Sequence, residues 1–376
     1  MPNSVNTKFR TGSITKMFTA TAVLMLRDEG KLRLDDSVCT YISDCPAAWR
    51  AITIRHLLMH YSGITDDFAE LTQMRRQHKS AAEFIEAIKK HPLESPPGTR
   101  NRYSNSGYIV LGGVISKASG LPYPVFLRTK IFVPLQMKDT DAETATVPGE
   151  AAAYSWDGTT YRKVEMLDVS GLSSAAMVSS TVGDLRSFVE ALQSGRLLKP
   201  STVAEMWTPQ IDHFSYAWRI DDVNGRKRLV HGGDIERFAS EIDDYPDQHL
   251  LIVSLSNISG MSPAKLVGDL SAIAFGDPYA IPHERHFVEL PQDQMNGLVG
   301  TYRLDSGGKI TISINARRLM LTPRGGQAVE CKPESALTCF LQPIDDDVTF
   351  LTDSSGKVTG IRMGNQMQGV KESSTQ

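Results

Sequence analysis

The chain is 376 residues long, 41% apolar and 22% charged, a composition ordinary for a globular protein with a large core and room for two or three domains. Its net charge of −3, without any basic run, lacks the electrostatic footprint of a nucleic-acid binder. The longest apolar runs, such as Leu250-Leu251-Ile252-Val253 and Ile109-Val110-Leu111, are far too short to cross a bilayer.

The first predicted helix follows Phe9-Arg10-Thr11-Gly12-Ser13-Ile14-Thr15-Lys16, with Gly12 allowing a tight entry. Phe18, Ala22, Met25 and Leu26 recur at i, i+4, i+7 and i+8, which predicts one buried face, and Gly30 marks the stop. Ser13 and Lys16 stand three apart, so they share a face with Cβ atoms about 5–6 Å apart, close enough for an amine to take a hydroxyl proton. A lysine acts as that base only when neutral; burial and the positive end of the helix dipole both disfavour the ammonium. The N–H of Ser13, in the first turn, is a candidate oxyanion donor. Taken alone, the stretch also fits a serine cap beside a solvated lysine.

Thr53 to Gly63 reads as a short helix capped by Thr53. It carries His56 and His60 at i and i+4, but Leu57 stands where a His-Glu-x-x-His zinc motif needs glutamate, so both are read as packing or hydrogen-bonding residues with no metal site. Met74 to His91 is a charged amphipathic stretch, read as a solvated helix face. The turn-rich run from Pro96 to Gly107 precedes a helix over Tyr108 to Ala118, stopped by Gly120. Within it Tyr103 and Asn105 are two apart, so in extended backbone a phenol and a carboxamide project to one side. A capping role for Asn105 and a packing role for Tyr103 fit equally.

Phe132 to Trp156 is loop-dominated, and Gly171 to Ser180 is small enough for a wall that backbone approaches closely. Thr181 to Asp184 is a capping signal for a helix ending before Gly195. From Tyr216 to Asn257 the pattern predicts an antiparallel meander, in which His231-Gly232-Gly233 marks a close approach by a ligand or another backbone. The texture changes after Ile281-Pro282. Ile310, Ile312 and Ile314 alternate with polar residues, and residues 290–372 read as a small all-β barrel or sandwich with no chemistry-bearing cluster. The domains expected are therefore 1–280 and 290–372.

Four cysteines fall in two close pairs, Cys39 with Cys45 and Cys331 with Cys339; two short disulfides are sterically possible, free thiols fit as well, and no spacing is a zinc pattern. Disulfides would point to a periplasmic or secreted setting rather than a cytoplasmic one, no export signal is visible in the chain, and the sequence leaves the compartment open.

Ser13-x-x-Lys16, Tyr103-x-Asn105 and His231-Gly232-Gly233, in this order, resemble the class C β-lactamases and their penicillin-binding, D-aminopeptidase and family VIII-type esterase relatives. Further signatures are Ile52-Thr53-Ile54-Arg55-His56-Leu57-Leu58, Ser62-Gly63-Ile64, Pro97-Gly98-Thr99 and Phe132-Val133-Pro134-Leu135. The resemblance, over roughly residues 6 to 260, implies a mixed α/β (α+β) fold: an antiparallel sheet flanked by helices with an inserted helical subdomain. It implies that Ser13 is the acylated nucleophile, Lys16 its base, Tyr103 the proton relay, and Asn105 the residue that holds Lys16 or the substrate carbonyl. His231, Gly232 and Gly233 would border the substrate, and the backbone N–H of Asp234 would be the second oxyanion donor. Histidine at 231, where many relatives carry lysine, replaces a permanent cation for a substrate carboxylate with a group titrating near pH 6.5, which weakens the case for a true β-lactamase. The expected partner is a small ester, amide or D-amino-acid peptide, with no cofactor.

The C-terminal strands resemble the lipocalin-like domain appended to several such hydrolases. Twelve residues precede Ser13, where the resemblance implies a helix and two strands that pair in the central sheet, so the expectation is either a truncated or mis-started N-terminus with an open sheet edge or another element that fills the gap. The alternative function is a binding or sensor module of the same fold that has lost turnover.

Overall fold

The computed structural model describes residues 2–66, 79–142, 148–156, 160–166, 168, 170–211, 213–258, 261–279, 281, 284–305, 308–323, 328–342, 346–363 and 367–372. It divides into two units, Met1–Ser259 with Pro263–Asp277, and Gly260–Ser262 with Pro278–Gln376. In the first unit the described helices are α1 (Thr15–Asp28), α2 (Ile54–Leu58), α3 (Ala81–Ile88), α4 (Asn105–Ser119), α5 (Tyr123–Leu127), α6 (Ser173–Ala176), α7 (Val182–Gln193), α8 (Pro200–Met206) and α9 (Pro263–Phe275). Its described strands are β1 (Phe9–Arg10), β2 (Tyr154–Trp156), β3 (Tyr161–Lys163), β4 (Ser179–Ser180), β5 (Phe214–Ser215), β6 (Trp218–Val223), β7 (Arg226–Ile235), β8 (Phe238–Tyr245) and β9 (Leu250–Ser256).

Helix α1 departs from its sequence pattern, which predicted one buried face: Met17, Phe18, Ala20, Ala22, Val23, Leu24 and Leu26 are all fully buried. A helix enclosed on all sides must satisfy its polar side chains internally. Thr19 Oγ1 accordingly donates to Ser174 O (2.6 Å), and Thr21 Oγ1 to Met17 O (2.8 Å). Around α1 pack α4, whose Tyr108, Ile109, Val110, Leu111, Val114 and Ile115 are buried, and α7 through Phe188, whose ring centroid lies 4.1 Å from that of Phe18. The stretch from Gly171 to Ser180 forms part of this core: a Cβ on Gly171 would meet the Phe84 ring at 1.8 Å, and β4 pairs with β1.

Two helix boundaries shift for identifiable reasons. Helix α2 ends at Leu58 rather than at Gly63, because His60 adopts φ 60° and turns the chain out of the helix. Its start is a reciprocal cap, with Thr53 Oγ1 accepting from His56 N (3.1 Å) and His56 Nδ1 accepting from Thr53 N (3.3 Å). Helix α4 begins at Asn105, three residues before the predicted Tyr108, since Ser104 is the cap and accepts from Gly107 N at 3.0 Å. Of the predicted amphipathic helix over Met74 to His91, residues 74–78 lie outside the described residues; the described part is α3, capped by Ser80 with Glu83 reciprocating.

Among the described residues, β5 to β9 form one antiparallel sheet in sequence order, the meander expected, with β5 and β9 at its edges. Its pairing sets His231 opposite Ile242, Gly232 opposite Glu241, and Gly233 opposite Ser240. Neighbouring residues on a strand face opposite sides, so His231 and Gly233 share one face and Gly232 takes the other. Helix α9 packs against Tyr245, whose ring meets that of Phe275 edge-on at 5.0 Å. No single described helix is long and apolar enough to cross a bilayer.

The second unit has one described helix, α10 (Gln292–Leu298), and the strands β10 (Gly300–Leu304), β11 (Lys309–Asn315), β12 (Arg318–Pro323), β13 (Val329–Glu330), β14 (Lys332–Pro333), β15 (Thr338–Leu341), β16 (Asp346–Thr352), β17 (Val358–Met363) and β18 (Met367–Lys371). They form a nearly closed antiparallel barrel in the order β13-β12-β11-β10-β18-β17-β16-β15-β14. The two end strands, β13 and β14, are joined through the single residue Cys331, so chain continuity draws the barrel's margins together. The alternation that predicted strands also fills the core: Ile310, Ile312, Leu319, Leu321, Val348, Phe350 and Ile361 are buried. Both cysteine pairs are bonded, Cys39 to Cys45 and Cys331 to Cys339.

Candidate active site

Ser13 sits on a 3-10 turn, Gly12–Ile14, immediately before α1. The turn depends on glycine twice. Gly12 has φ 53°, a left-handed conformation that L side chains rarely adopt, and a Cβ there would lie 2.9 Å from Asp234 N. Across from it, a Cβ on Gly233 would lie 2.1 Å from Thr11 O and 2.9 Å from Ser13 N. The Gly12–Ile14 turn and β7 therefore meet backbone to backbone, which brings the amides of Ser13 and Asp234 close together. Ser240 Oγ ties the two segments by donating to Thr11 O (2.8 Å) and Gly233 O (3.2 Å).

Lys16 is fully buried. Its Nζ donates to Asn105 Oδ1 (2.8 Å) and Ala175 O (2.9 Å) and lies 3.1 Å from Ser13 Oγ. Two acceptors thus take two N–H bonds, and in a neutral amine the lone pair remains for the serine hydroxyl. Tyr103 is 47% exposed, yet its hydroxyl end turns inward and donates to Ser13 Oγ at 2.7 Å. Burial of that end, with the negative charge of Asp66 adding, pushes the phenol up to about 12, so it is protonated at neutral pH. Ser13, Lys16, Tyr103 and Asn105, more than ninety residues apart at the extremes, are one hydrogen-bonded cluster.

His231 stands within electrostatic reach of Lys16, and burial, with the positive charge Lys16 carries when protonated adding to it, lowers the imidazole to about 4. With Nδ1–H directed at Gly232 O (2.7 Å), the other ring nitrogen is an acceptor. Gly232 faces away from Ser13: a Cβ there would meet Glu241 Oε2 at 2.5 Å. Of the two glycines, Gly233 is the one where a Cβ would meet the turn that carries Ser13. Among the described residues no group of three or more His, Cys, Asp or Glu gathers in a way that would hold a metal ion.

Three contributors escape the sequence reading. Asp66 accepts from Asn105 N (2.6 Å) and Ser106 N (2.8 Å), neutralising the start of α4 where Asn105 projects. Ala175 contributes a backbone carbonyl, for which no side-chain signature exists. His60, noted only as a packing or hydrogen-bonding residue, lies against Tyr103. The sole sequence hint for Asp66 was its place just after Ser62-Gly63-Ile64.

Residues 1–273 match the family model described as Beta-lactamase. The chain belongs to the β-lactamase family. This family member is 26% identical over 385 residues to penicillin-binding protein 4* of Bacillus subtilis (strain 168), covering 93% of this chain and 84% of that protein. Its structure is similar to the octameric penicillin-binding protein homologue from Pyrococcus abyssi, with a TM-score of 0.67, 23% identity, and 99% and 90% of the two chains covered. It is similar also to a D-stereospecific amidohydrolase from Streptomyces sp., with a TM-score of 0.60, 29% identity, and 67% and 82% covered. The β-lactamase-type fold is thereby established, and family members of this kind are serine hydrolases.

Proposed function

We propose that the protein is a serine hydrolase that acts through an acyl-enzyme on small esters or D-amino-acid-type amides. The observation that carries this reading is the bracketing of one hydroxyl, Ser13 Oγ, by Lys16 Nζ at 3.1 Å and Tyr103 OH at 2.7 Å. Lys16 takes the proton as Ser13 attacks the substrate carbonyl, and Asn105 with Ala175 O keeps the amine aimed. The amides of Ser13 and Asp234 face the oxygen on which charge develops. Tyr103 passes its proton to the leaving group and regains one from the Lys16 ammonium; in deacylation it orients the attacking water, whose proton goes to the regenerated Lys16 amine and from there to Ser13 Oγ as the ester bond breaks.

His231 decides the substrate class within this scheme. A neutral imidazole offering an acceptor cannot pair with a substrate carboxylate as a permanent cation does, so penicillin-type substrates lose their anchor. Likeness to the D-stereospecific amidohydrolase supports amides of D-amino acids beside simple esters. The test is a panel of p-nitrophenyl esters, D- and L-amino-acid amides and a penicillin assayed side by side. Esters and D-amides are expected to exceed the penicillin in kcat/KM by about 100-fold or more, the scale of one lost charge-assisted contact. A penicillin as the best substrate would overturn the assignment, and acylation without any turnover would support the sensor reading instead.

A further inference from the structure

His60 contacts the three residues around Tyr103 in three ways. Its backbone carbonyl accepts from Arg102 N (2.9 Å), its Nδ1 accepts from Ser104 N (3.1 Å), and its ring lies 4.5 Å from the Tyr103 ring at an interplanar angle of 33°. The imidazole also meets Tyr108 of α4, with centroids 5.0 Å apart. The residues before and after Tyr103 are thus both tethered to one residue, whose side chain also supports the phenol ring. A left-handed backbone makes this possible: at φ 60° His60 leaves the helical path of α2, a conformation that a non-glycine residue keeps only where its surroundings hold it.

The acceptor role of Nδ1 requires a neutral ring with its proton on the other nitrogen. Burial, followed by the positive charges that Lys16 and His231 carry when protonated, lowers His60 to about 3, so the ring keeps that form throughout the neutral range.

We propose that His60 is the positioning residue for Tyr103, fixing the phenol so that its hydroxyl meets Ser13 Oγ. The inference rests on the reading of Tyr103 as the proton relay, and its test separates the two. The variants are His60→Asn and His60→Ala, each made in the native and in the Tyr103→Phe background, with kcat and KM measured on a p-nitrophenyl ester. Asparagine tolerates the left-handed backbone and can still accept from Ser104 N, so it removes the ring alone and keeps the fold testable should the alanine variant fail to fold. The expected result is a loss in kcat of about tenfold or more in the native background with KM little changed, and no further loss once Tyr103 is phenylalanine. Equal losses in both backgrounds would mark a merely structural residue and overturn the proposal. A Tyr103→Phe variant with native kcat would remove the relay itself, and a large His60→Asn effect beside it would show that His60 acts elsewhere.

Discussion

Ser13→Ala is expected to lower kcat for ester hydrolysis on the order of 10^5-fold while the fold persists. The first half follows from chemistry: without Oγ there is no atom to be acylated, and what remains is the weak catalysis of two backbone amides and a bound substrate. The second half follows from the contacts removed. Ser13 Oγ is joined to Lys16 Nζ and Tyr103 OH. Lys16 keeps Asn105 Oδ1 and Ala175 O, and the half-exposed Tyr103 can turn its hydroxyl to water. The change in stability should therefore stay within about 1 kcal/mol, read as a thermal midpoint close to that of the parent. A variant that retained ester turnover near the parent rate would remove Ser13 from the mechanism.

Lys16→Met should lower kcat by about 10^3-fold or more and, unlike the serine variant, should also destabilise the protein. Methionine has similar reach and fills the buried space around α1, so the core is conserved in shape. The amine is lost, however, and Asn105 Oδ1 and Ala175 O each lose the donor that the structure gives them. A buried acceptor left unsatisfied costs about 1–3 kcal/mol, which predicts a clear fall in the urea midpoint. The kinetic loss should fall on the acylation step, because the hydroxyl is then without the group that takes its proton. An unchanged acylation rate in a rapid-mixing experiment would contradict this, whatever the change in stability.

The parts of the site that could be read in the sequence are those carried by local geometry or by a residue pair with chemical meaning. Ser13 and Lys16 share a helical face at a spacing of three, and Tyr103 and Asn105 flank the extended residue Ser104 with its φ of −138°. Gly233 was legible as a close approach because a side chain there has no room beside Thr11 O. The barrel strands were legible through alternation, since a period of two persists wherever one face is buried.

What stayed hidden depends on contacts far apart in sequence. The all-round burial of α1 comes from α4, α6 and α7, so its local pattern showed one buried face although Thr19 also bonds inward. His60 looked helical because its neighbours are, whereas its left-handed turn is held by tertiary contacts with residues 102–104. Asp66 caps a helix whose first residue is thirty-nine positions later, beyond any local capping pattern.

The central claim, that Ser13 forms a covalent bond with substrate carbonyls while Lys16 and Tyr103 manage its proton, is tested most directly by intact-mass and peptide-level mass spectrometry of the protein treated with an aryl phosphonate. The account predicts one adduct per chain, located on the peptide containing Ser13 and absent from the Ser13→Ala variant. An adduct on another residue, or none while ester hydrolysis proceeds, would contradict it.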